Sequence, residues 1–332
     1  MRENFHHFLG QFVRNPLDGA DPDTKINIEQ GVFVPTDPPG VYRIDNMVHY
    51  DGVLLSVHFA TGSWNTVEGS AVMVAPGIAL AAAHVIQHII EPTPEIMVSK
   101  PDIFCTGLTS SGPRNWFIRG ITKVNCSDLA VLSLDYASPM PPDGRFVQAT
   151  MTTRLPKIGE QVMIVGFRSS DENLPAEEGI YFPVEDGHIK YGAEVRIGVG
   201  EITQYHLDGR GSMPPGPAIE IACSTVGGMS GGPAFDQNGM LVGILSVSPN
   251  LADDDGRGPS QVSLLMPALV QTITPSFLPN FYPGPIRLLD LPSDLCGIHG
   301  RDATRSATAS ELGIIRVEMR DWPEFVRRRA AH

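Results

Sequence analysis

Residues 228–233 read Gly-Met-Ser-Gly-Gly-Pro, a short stretch that places Ser230 on a glycine-lined turn. Glycines on both sides leave the hydroxyl open to a substrate and allow backbone conformations that side chains forbid. On such a turn the amides of Gly228 and Ser230 can point at one spot, where an acyl-transfer intermediate carries its negative oxygen. The stretch therefore predicts a nucleophile and an oxyanion hole on the same turn.

The partners that a serine nucleophile needs are found upstream of this turn. A serine hydroxyl attacks well only when a base takes its proton and a third group orients that base. His84 follows three alanines after an apolar run, residues 69–80, that reads as two short strands around a Pro-Gly turn. Asp128 stands just before another apolar run, residues 129–134. The catalytic candidates are thus His84, Asp128 and Ser230, in that chain order.

Other acidic and histidine residues compete for these roles. Asp135 comes at the end of its predicted strand and Asp102 follows a proline-containing segment. Asp128 instead holds a strand-entry position, from which a carboxylate can reach a histidine at a neighbouring strand end. His84 and His88 are four residues apart, a spacing that suits metal ligands on a helix, but no glutamate follows His84 as in metalloproteases. We therefore expect Asp128 as the acid and no metal site.

Three segments in this order resemble the trypsin-like, or chymotrypsin-fold, serine peptidases. They are residues 80–84 (Leu-Ala-Ala-Ala-His), 127–132 (Ser-Asp-Leu-Ala-Val-Leu) and 228–233, with the apolar run 239–246 after them. The order His, Asp, Ser is that of this fold, whereas subtilisins and α/β-hydrolases use other orders. The resemblance implies an all-β protein of two six-stranded antiparallel barrels with the active site in the cleft between them. The relatives it resembles are bacterial-type members that are not made as zymogens.

The domain organisation is predicted from this resemblance and from the positions of proline- and glycine-rich stretches. The expected parts are an N-terminal extension (1–45), a first barrel with the histidine and aspartate (46–140), a second barrel with the serine (141–275) and a C-terminal extension (276–332). Residues 139–144 form a natural linker because their prolines and glycine break both helix and strand. The C-terminal extension either packs on the barrels or forms a recognition module, through which a regulatory partner or ligand would bind.

The mechanism implied by the resemblance is covalent acyl transfer from polypeptide substrates, with no cofactor and no metal. Ser230 would attack the peptide carbonyl, His84 would take the serine proton, and Asp128 would orient the imidazole. The amides of Gly228 and Ser230 would receive the oxyanion.

The same resemblance implies a substrate-binding region. Its predicted residues are Ser224 at the pocket floor, Val262 and Ser263 on a later strand, and Ser246, Val247 and Ser248, which would pair with the substrate backbone as an added strand. The pocket floor carries no carboxylate, so a bound lysine or arginine would be buried without a countercharge, which is costly. We expect a preference for small or medium apolar side chains.

Met229 precedes the nucleophile, where secreted zymogens of this family carry an acidic residue that pairs with a newly freed α-amine. Before the first barrel the chain also lacks a basic residue followed by Ile-Val-Gly-Gly. We therefore expect no activation by N-terminal cleavage. The oxyanion loop would be held by local packing, or ordered by a ligand, a partner or the C-terminal tail.

Composition bears on partners and compartment. The net charge of -13 argues against a nucleic-acid partner, because phosphate binding needs a basic surface. No apolar run is long enough to span a membrane, and no basic segment leads into an apolar one at the N-terminus. The four cysteines lack the spacing of a disulfide framework, although Cys105 and Cys126 flank one loop and could pair in an oxidising compartment. We expect a cytoplasmic protein with free thiols.

Two other functional classes fit parts of the sequence. Residues 228–232 also satisfy the Gly-x-Ser-x-Gly elbow of α/β-hydrolases, which would make the protein an esterase. That elbow needs a helix after the serine, and here Pro233 and an Asp-Gln-Asn-Gly turn follow. The other alternative is a catalytically silent peptide-binding or sensor module on a peptidase fold, since a fold alone does not prove activity.

Overall fold

The computed structural model describes the two barrels and the segments packed on them. The described residues are 27–31, 52–61, 64–87, 102–109, 112–138, 145–169, 180–184, 187–191, 193–209, 214–223, 225, 227–247, 259–277, 281–309 and 315–319. Their strands are β1 (Asn27–Gly31), β2 (Leu54–Thr61), β3 (Trp64–Ala75), β4 (Ile78–Ala82), β5 (Asp102–Thr109), β6 (Gly112–Lys123), β7 (Leu129–Tyr136), β8 (Arg145–Ala149), β9 (Met151–Thr152), β10 (Gln161–Ser169), β11 (Ile180–Val184), β12 (Gly187–Tyr191), β13 (Ala193–His206), β14 (Ala218–Ile221), β15 (Pro233–Asp236), β16 (Leu241–Val247), β17 (Ser260–Leu264), β18 (Thr272–Ile273), β19 (Ile286–Arg287), β20 (Ile298–His299), β21 (Thr304–Ala309) and β22 (Ile315–Met319). A short helix, α1 (Met266–Val270), follows β17.

The first barrel is a closed ring of antiparallel strands in the order β2-β3-β4-β7-β6-β5. Strand β4, with the sequence Ile-Ala-Leu-Ala-Ala, is buried along its whole length because it pairs with β3 on one side and β7 on the other. Strand β7 carries the apolar run that follows Asp128 and is also almost wholly buried. The two strand ends that the sequence marked with His84 and Asp128 are therefore neighbours, with Ala82 opposite Leu129.

The second barrel is built from β15-β10-β13-β14-β17-β16 and is closed by pairing between β15 and β16. Its interior is a separate apolar cluster that includes Ile164, Ile219, Leu245 and Val262. All six strand pairings around the ring are antiparallel. The predicted fold class, two six-stranded antiparallel barrels, is confirmed.

The segment between the barrels is itself paired to both chain extensions. Strand β8 pairs in parallel with the N-terminal β1, and β9 pairs in parallel with both β16 and the C-terminal β20. The side-chain amide of Gln148 donates a hydrogen bond to the carbonyl of Leu295, at 2.7 Å. The predicted linker, residues 139–144, and the predicted boundaries at 45 and 140 lie outside the described residues, so the domain limits stay predictions.

The described start of the C-terminal extension packs on the first barrel. Phe277 is fully buried against the turn at Gly77, and the hydroxyl of Tyr282 donates to the carbonyl of Pro76 at 2.7 Å. Leu288 and Leu291 join the same apolar cluster as the first barrel. Strands β21 and β22 form a hairpin of their own. Among the described residues, no helix is long and apolar enough to cross a membrane.

Candidate active site

His84 is positioned by the end of β4. The strand stops at Ala82, and a single 3₁₀ turn, Ala83–Ile86, carries the histidine out of the barrel wall. The amide of Ala83 donates to the carbonyl of Asp128 at 2.9 Å, which ties this turn to the start of β7. The histidine side chain keeps 29% of its surface exposed, so the ring is accessible while its backbone is fixed.

Asp128 is buried and its carboxylate accepts three hydrogen bonds. Its Oδ1 accepts from the backbone amide of His84 at 3.0 Å, and its Oδ2 lies 2.7 Å from the ring Nδ1. The hydroxyl of Ser246, on β16 of the second barrel, also donates to Oδ2. A carboxylate can only accept, so the shared proton sits on Nδ1 and leaves Nε2 free to take a proton.

The competing acidic residues lie elsewhere. Asp135 pairs with Arg119 at 3.1 Å on the outside of the first barrel. Asp102 is the first residue of β5, opposite Ala60 of β2. In the part of the chain that the structure describes, no cluster of His, Cys, Asp or Glu could hold a metal ion.

The loop with Ser230 is a tight turn that fits against the first barrel. Gly228 and Gly231 have φ angles of +89° and +85°, in the region that glycine adopts without strain. A Cβ added to Gly231 would lie 1.9 Å from the carbonyl oxygen of Ser70 and 3.2 Å from the amide nitrogen of Ala82. This loop, residues 228–232, is called the nucleophile loop after the role predicted for Ser230, and it contacts the strand end that leads into His84.

Two amides of this loop are left open. Across the described residues, no hydrogen bond engages the amides of Gly228 and Ser230, whereas Gly231 donates to Leu245 at 2.8 Å and Gly232 to Met229 at 2.9 Å. The hydroxyl of Ser230 makes no hydrogen bond to a described residue, the ring of His84 included. The structure thus joins His84 to Asp128 directly and places Ser230 across the barrel interface without a bond to the imidazole. Hydrogen bonds of this kind are often long before a substrate binds.

The residues predicted to bind substrate are only partly described. Ser224 and Ser248 lie outside the described residues. Val247 ends β16 opposite Gln261, and the hydroxyl of Ser246 is turned to Asp128. Val262 and Ser263 are both buried, Val262 within the second-barrel cluster, so neither is open to a ligand in this conformation. The pocket assignment and the added-strand role of residues 246–248 stay predictions.

The secondary structure that follows Ser230 differs from that of an α/β-hydrolase. The elbow of those enzymes leads from a strand into a helix. Here Ser230 is followed by a turn and then by strand β15, Pro233–Asp236. Residues 228–232 are therefore not the nucleophile elbow of an α/β-hydrolase.

All four cysteines are free thiols. Cys105 is fully buried and Cys126 is exposed, so the disulfide left open by the sequence is not formed. Burial raises the pKa of Cys105, that of Cys223 to about 11 and that of Cys296 to about 12.

Two polar contacts of this site were not predicted from the sequence. The hydroxyl of Ser246, a residue predicted to pair with the substrate backbone, donates to Asp128, and the hydroxyl of Ser70 donates to the carbonyl of Gly228. The only sequence signal for Ser70 is its place in Gly69-Ser70-Ala71, where a polar residue interrupts an apolar run.

The chain is similar in sequence to one protein family and in fold to several solved structures. The family model described as the trypsin-like peptidase domain matches residues 69–244, more than half of the chain. Among solved structures, the active form of the Rv3671c protease from M. tuberculosis is 14% identical with a TM-score of 0.42, covering 74% of this chain and 88% of its own. The structure of Deg5 is 16% identical with a TM-score of 0.39, covering 60% and 80%. No curated protein sequence matches.

Proposed function

Because the chain belongs to the trypsin-like peptidase domain family and is a serine-type peptidase, we propose that it cleaves polypeptides through Ser230, His84 and Asp128. The observation that carries this proposal is the carboxylate of Asp128, which binds both the backbone amide and the ring Nδ1 of His84. A buried carboxylate placed in this way fixes the imidazole with Nε2 as the base.

The reaction would run through an acyl-enzyme. The Oγ of Ser230 attacks the carbonyl carbon while Nε2 of His84 takes the hydroxyl proton, and the carbonyl electron pair moves onto oxygen. The amides of Gly228 and Ser230 stabilise that oxyanion, and one such donor is typically worth about 3 kcal/mol. The C–N bond then breaks as the imidazolium protonates the leaving amine. Water, activated by the same imidazole, releases the second product and restores Ser230.

The test is labelling of the full-length protein with a fluorophosphonate, with Ser230→Ala and His84→Ala as variants. Labelling should occur in the wild type and disappear in Ser230→Ala. Cleavage of a peptide library should fall in both variants by several orders of magnitude, on the order of 10⁶ for a triad that acts as a unit. A variant that keeps more than about a tenth of the wild-type rate, with unchanged circular dichroism, would show that its residue lacks the proposed role.

The library also tests the proposed substrate class. With Ser224 at the pocket floor and no carboxylate there, small or medium apolar residues such as alanine, valine, leucine or methionine should precede the cut. A buried lysine or arginine would lack a countercharge. Dominant cleavage after arginine or lysine would contradict this pocket assignment while leaving the triad intact.

A silent peptide-binding module is the second candidate, and the missing hydrogen bond between Ser230 and His84 is the observation that favours it. The two candidates differ in one result. A silent module binds peptides without reacting with the fluorophosphonate, whereas a peptidase is labelled at Ser230.

A further inference from the structure

The hydroxyl of Ser70 connects three parts of the molecule. Ser70 belongs to β3 of the first barrel and is fully buried. Its Oγ accepts a hydrogen bond from the amide of Phe167, on β10 of the second barrel, at 2.8 Å. The same hydroxyl donates to the carbonyl of Gly228, in the nucleophile loop, at 3.3 Å. One side chain thus spans both barrels and the loop.

The end of a strand pairing explains why β10 offers this amide. Strand β10 pairs with β15 only from Val162 to Ile164, and beyond that point no strand among the described residues pairs with this edge of β10. Phe167 lies on this edge, and its amide needs an acceptor because it is buried. An amide can only donate, so the single proton of the Ser70 hydroxyl is directed to the Gly228 carbonyl.

Ser70 holds the peptide group that joins Gly228 to Met229, by its carbonyl oxygen. The amide of Gly228 belongs to the preceding peptide group and the amide of Ser230 to the following one. Fixing the peptide group between them limits the rotation of both oxyanion donors. The backbone amide of Ser70 also donates to the carbonyl of Ser230 at 2.7 Å, so the loop is held from the same residue on both sides.

Close contacts also pack the loop against strands of both barrels. A Cβ added to Gly69 would lie 2.7 Å from the Ser230 carbonyl oxygen, and one added to Gly166 would lie 2.7 Å from the Cα of Met229. Met229 is itself buried in the second-barrel cluster. The loop is therefore packed between backbones, and Ser70 supplies the side-chain hydrogen bond to the Gly228 carbonyl.

We propose that Ser70 is a positioning residue that holds the oxyanion hole in its active arrangement from the opposite barrel. This inference rests on the proposed function of Ser230 and its neighbouring amides. In zymogens an acidic residue before the serine pairs with a new α-amine and so orders the oxyanion loop. Met229 cannot form that ion pair, and the permanent hydrogen bond from Ser70 would order the loop instead. Ser70 touches neither substrate nor reacting atoms, so its removal should affect the transition state and leave substrate binding unchanged.

The experiment compares Ser70→Ala and Ser70→Cys with Ser133→Ala in the full-length protein. Ser133 is a matched control because it is a buried serine of the first barrel whose hydroxyl accepts from a backbone amide, that of Ser276, at 2.6 Å. It lies opposite Ile78, at the end of β4 away from His84. The measurements are kcat and KM on the best library peptide, and the inhibition constant of acetyl-leucyl trifluoromethyl ketone. Each is taken at a temperature where circular dichroism shows the variant folded.

In Ser70→Ala, kcat should fall about 10- to 100-fold with KM little changed, since loss of a whole oxyanion donor costs about 10²- to 10³-fold. The ketone, whose hemiketal oxygen occupies the oxyanion hole, should weaken by the same factor. The pKa of that hemiketal, followed by ¹⁹F NMR, should rise because the oxyanion is less stabilised. Ser70→Cys, with a weaker donor and acceptor, should fall between the wild type and Ser70→Ala. Ser133→Ala should lower Tm without changing kcat or the hemiketal pKa.

Two results would overturn the inference. One is a Ser70→Ala protein with wild-type kcat and ketone affinity, and the other is a Ser133→Ala protein that loses both to the same extent. Wild-type protein that the fluorophosphonate does not label would instead overturn the proposed function, and this inference with it.

Discussion

Phe277 offers a direct test of whether the C-terminal extension belongs to the folded core. The side chain is 1% exposed, and its ring lies 5.2 Å from that of Phe281, edge to face, and 6.1 Å from that of Trp116. Its Cβ would be only 2.3 Å from a Cβ added to Gly77, so no space separates the ring from the turn that begins β4. Removing the ring leaves a cavity that this rigid turn cannot fill.

Phe277→Ala should therefore lower the free energy of unfolding by about 3–5 kcal/mol, the range for truncation of a buried phenylalanine. With about 2.1 cal/mol/K of unfolding entropy per residue, 1 kcal/mol shifts the Tm of a 332-residue chain by about 1.4 °C, so Tm should fall by about 4–7 °C. The assay is thermal unfolding followed by circular dichroism, with urea unfolding as a second measure. Ile158→Ala is the control, because Ile158 is a large apolar residue that is 52% exposed and should change Tm little.

A drop in Tm no larger than that of the Ile158 control would refute the reasoning. It would mean that the extension is a separate unit whose removal the barrels tolerate. The activity of the folded fraction gives a second result. Because the Gly77 turn leads through β4 to His84, the cleavage rate of Phe277→Ala should become more temperature-sensitive than that of the control.

Three other changes test the site. Gly231→Ala should abolish most activity while leaving a folded protein, because a Cβ there would lie 1.9 Å from the Ser70 carbonyl oxygen and the φ angle of +85° disfavours side chains. Active-site titration measures the active fraction, and retention of more than half of the wild-type rate would contradict this prediction. Ser246→Ala removes one of the three hydrogen bonds to Asp128, and kcat/KM should fall roughly 10- to 100-fold because a hydrogen bond to a charged group is worth about 1.5–3 kcal/mol. An unchanged kcat/KM would show that this hydrogen bond does not support the imidazole. Iodoacetamide at pH 8 should alkylate Cys126 first, since burial raises the pKa of the three other thiols and only the thiolate reacts. Labelling of the other three, followed by mass spectrometry, should appear only as the pH rises or the protein unfolds, and equally fast labelling of all four in the native protein would contradict this.

Local sequence predicted the parts of the site that lie at strand ends. His84 and Asp128 adjoin mostly apolar runs, and antiparallel pairing of two such runs brings their ends together. The glycines around Ser230 likewise mark a turn without knowledge of its neighbours. These signals were enough for the fold class and for the candidate residues.

The parts that the sequence did not predict depend on contacts between distant segments. Ser70 and Ser246 are ordinary serines within apolar strands, and their roles appear only when the barrels meet at Asp128 and the nucleophile loop. The face that Val262 presents also depends on its partner strands, because a one-residue shift in register turns every side chain of a strand to the other face. Val262 is buried in the second-barrel cluster, and its role in the pocket stays a prediction.

The paired strands between the barrels have a mechanical consequence. A two-barrel enzyme joined by a free linker could open its cleft by swinging one barrel away from the other. Here β1 pairs with β8 and β20 pairs with β9, and the side-chain amide of Gln148 donates a further hydrogen bond to the carbonyl of Leu295. A hinge within β8 or β9 would have to break those backbone hydrogen bonds before the barrels moved. We therefore expect the two barrels to unfold together as one cooperative body.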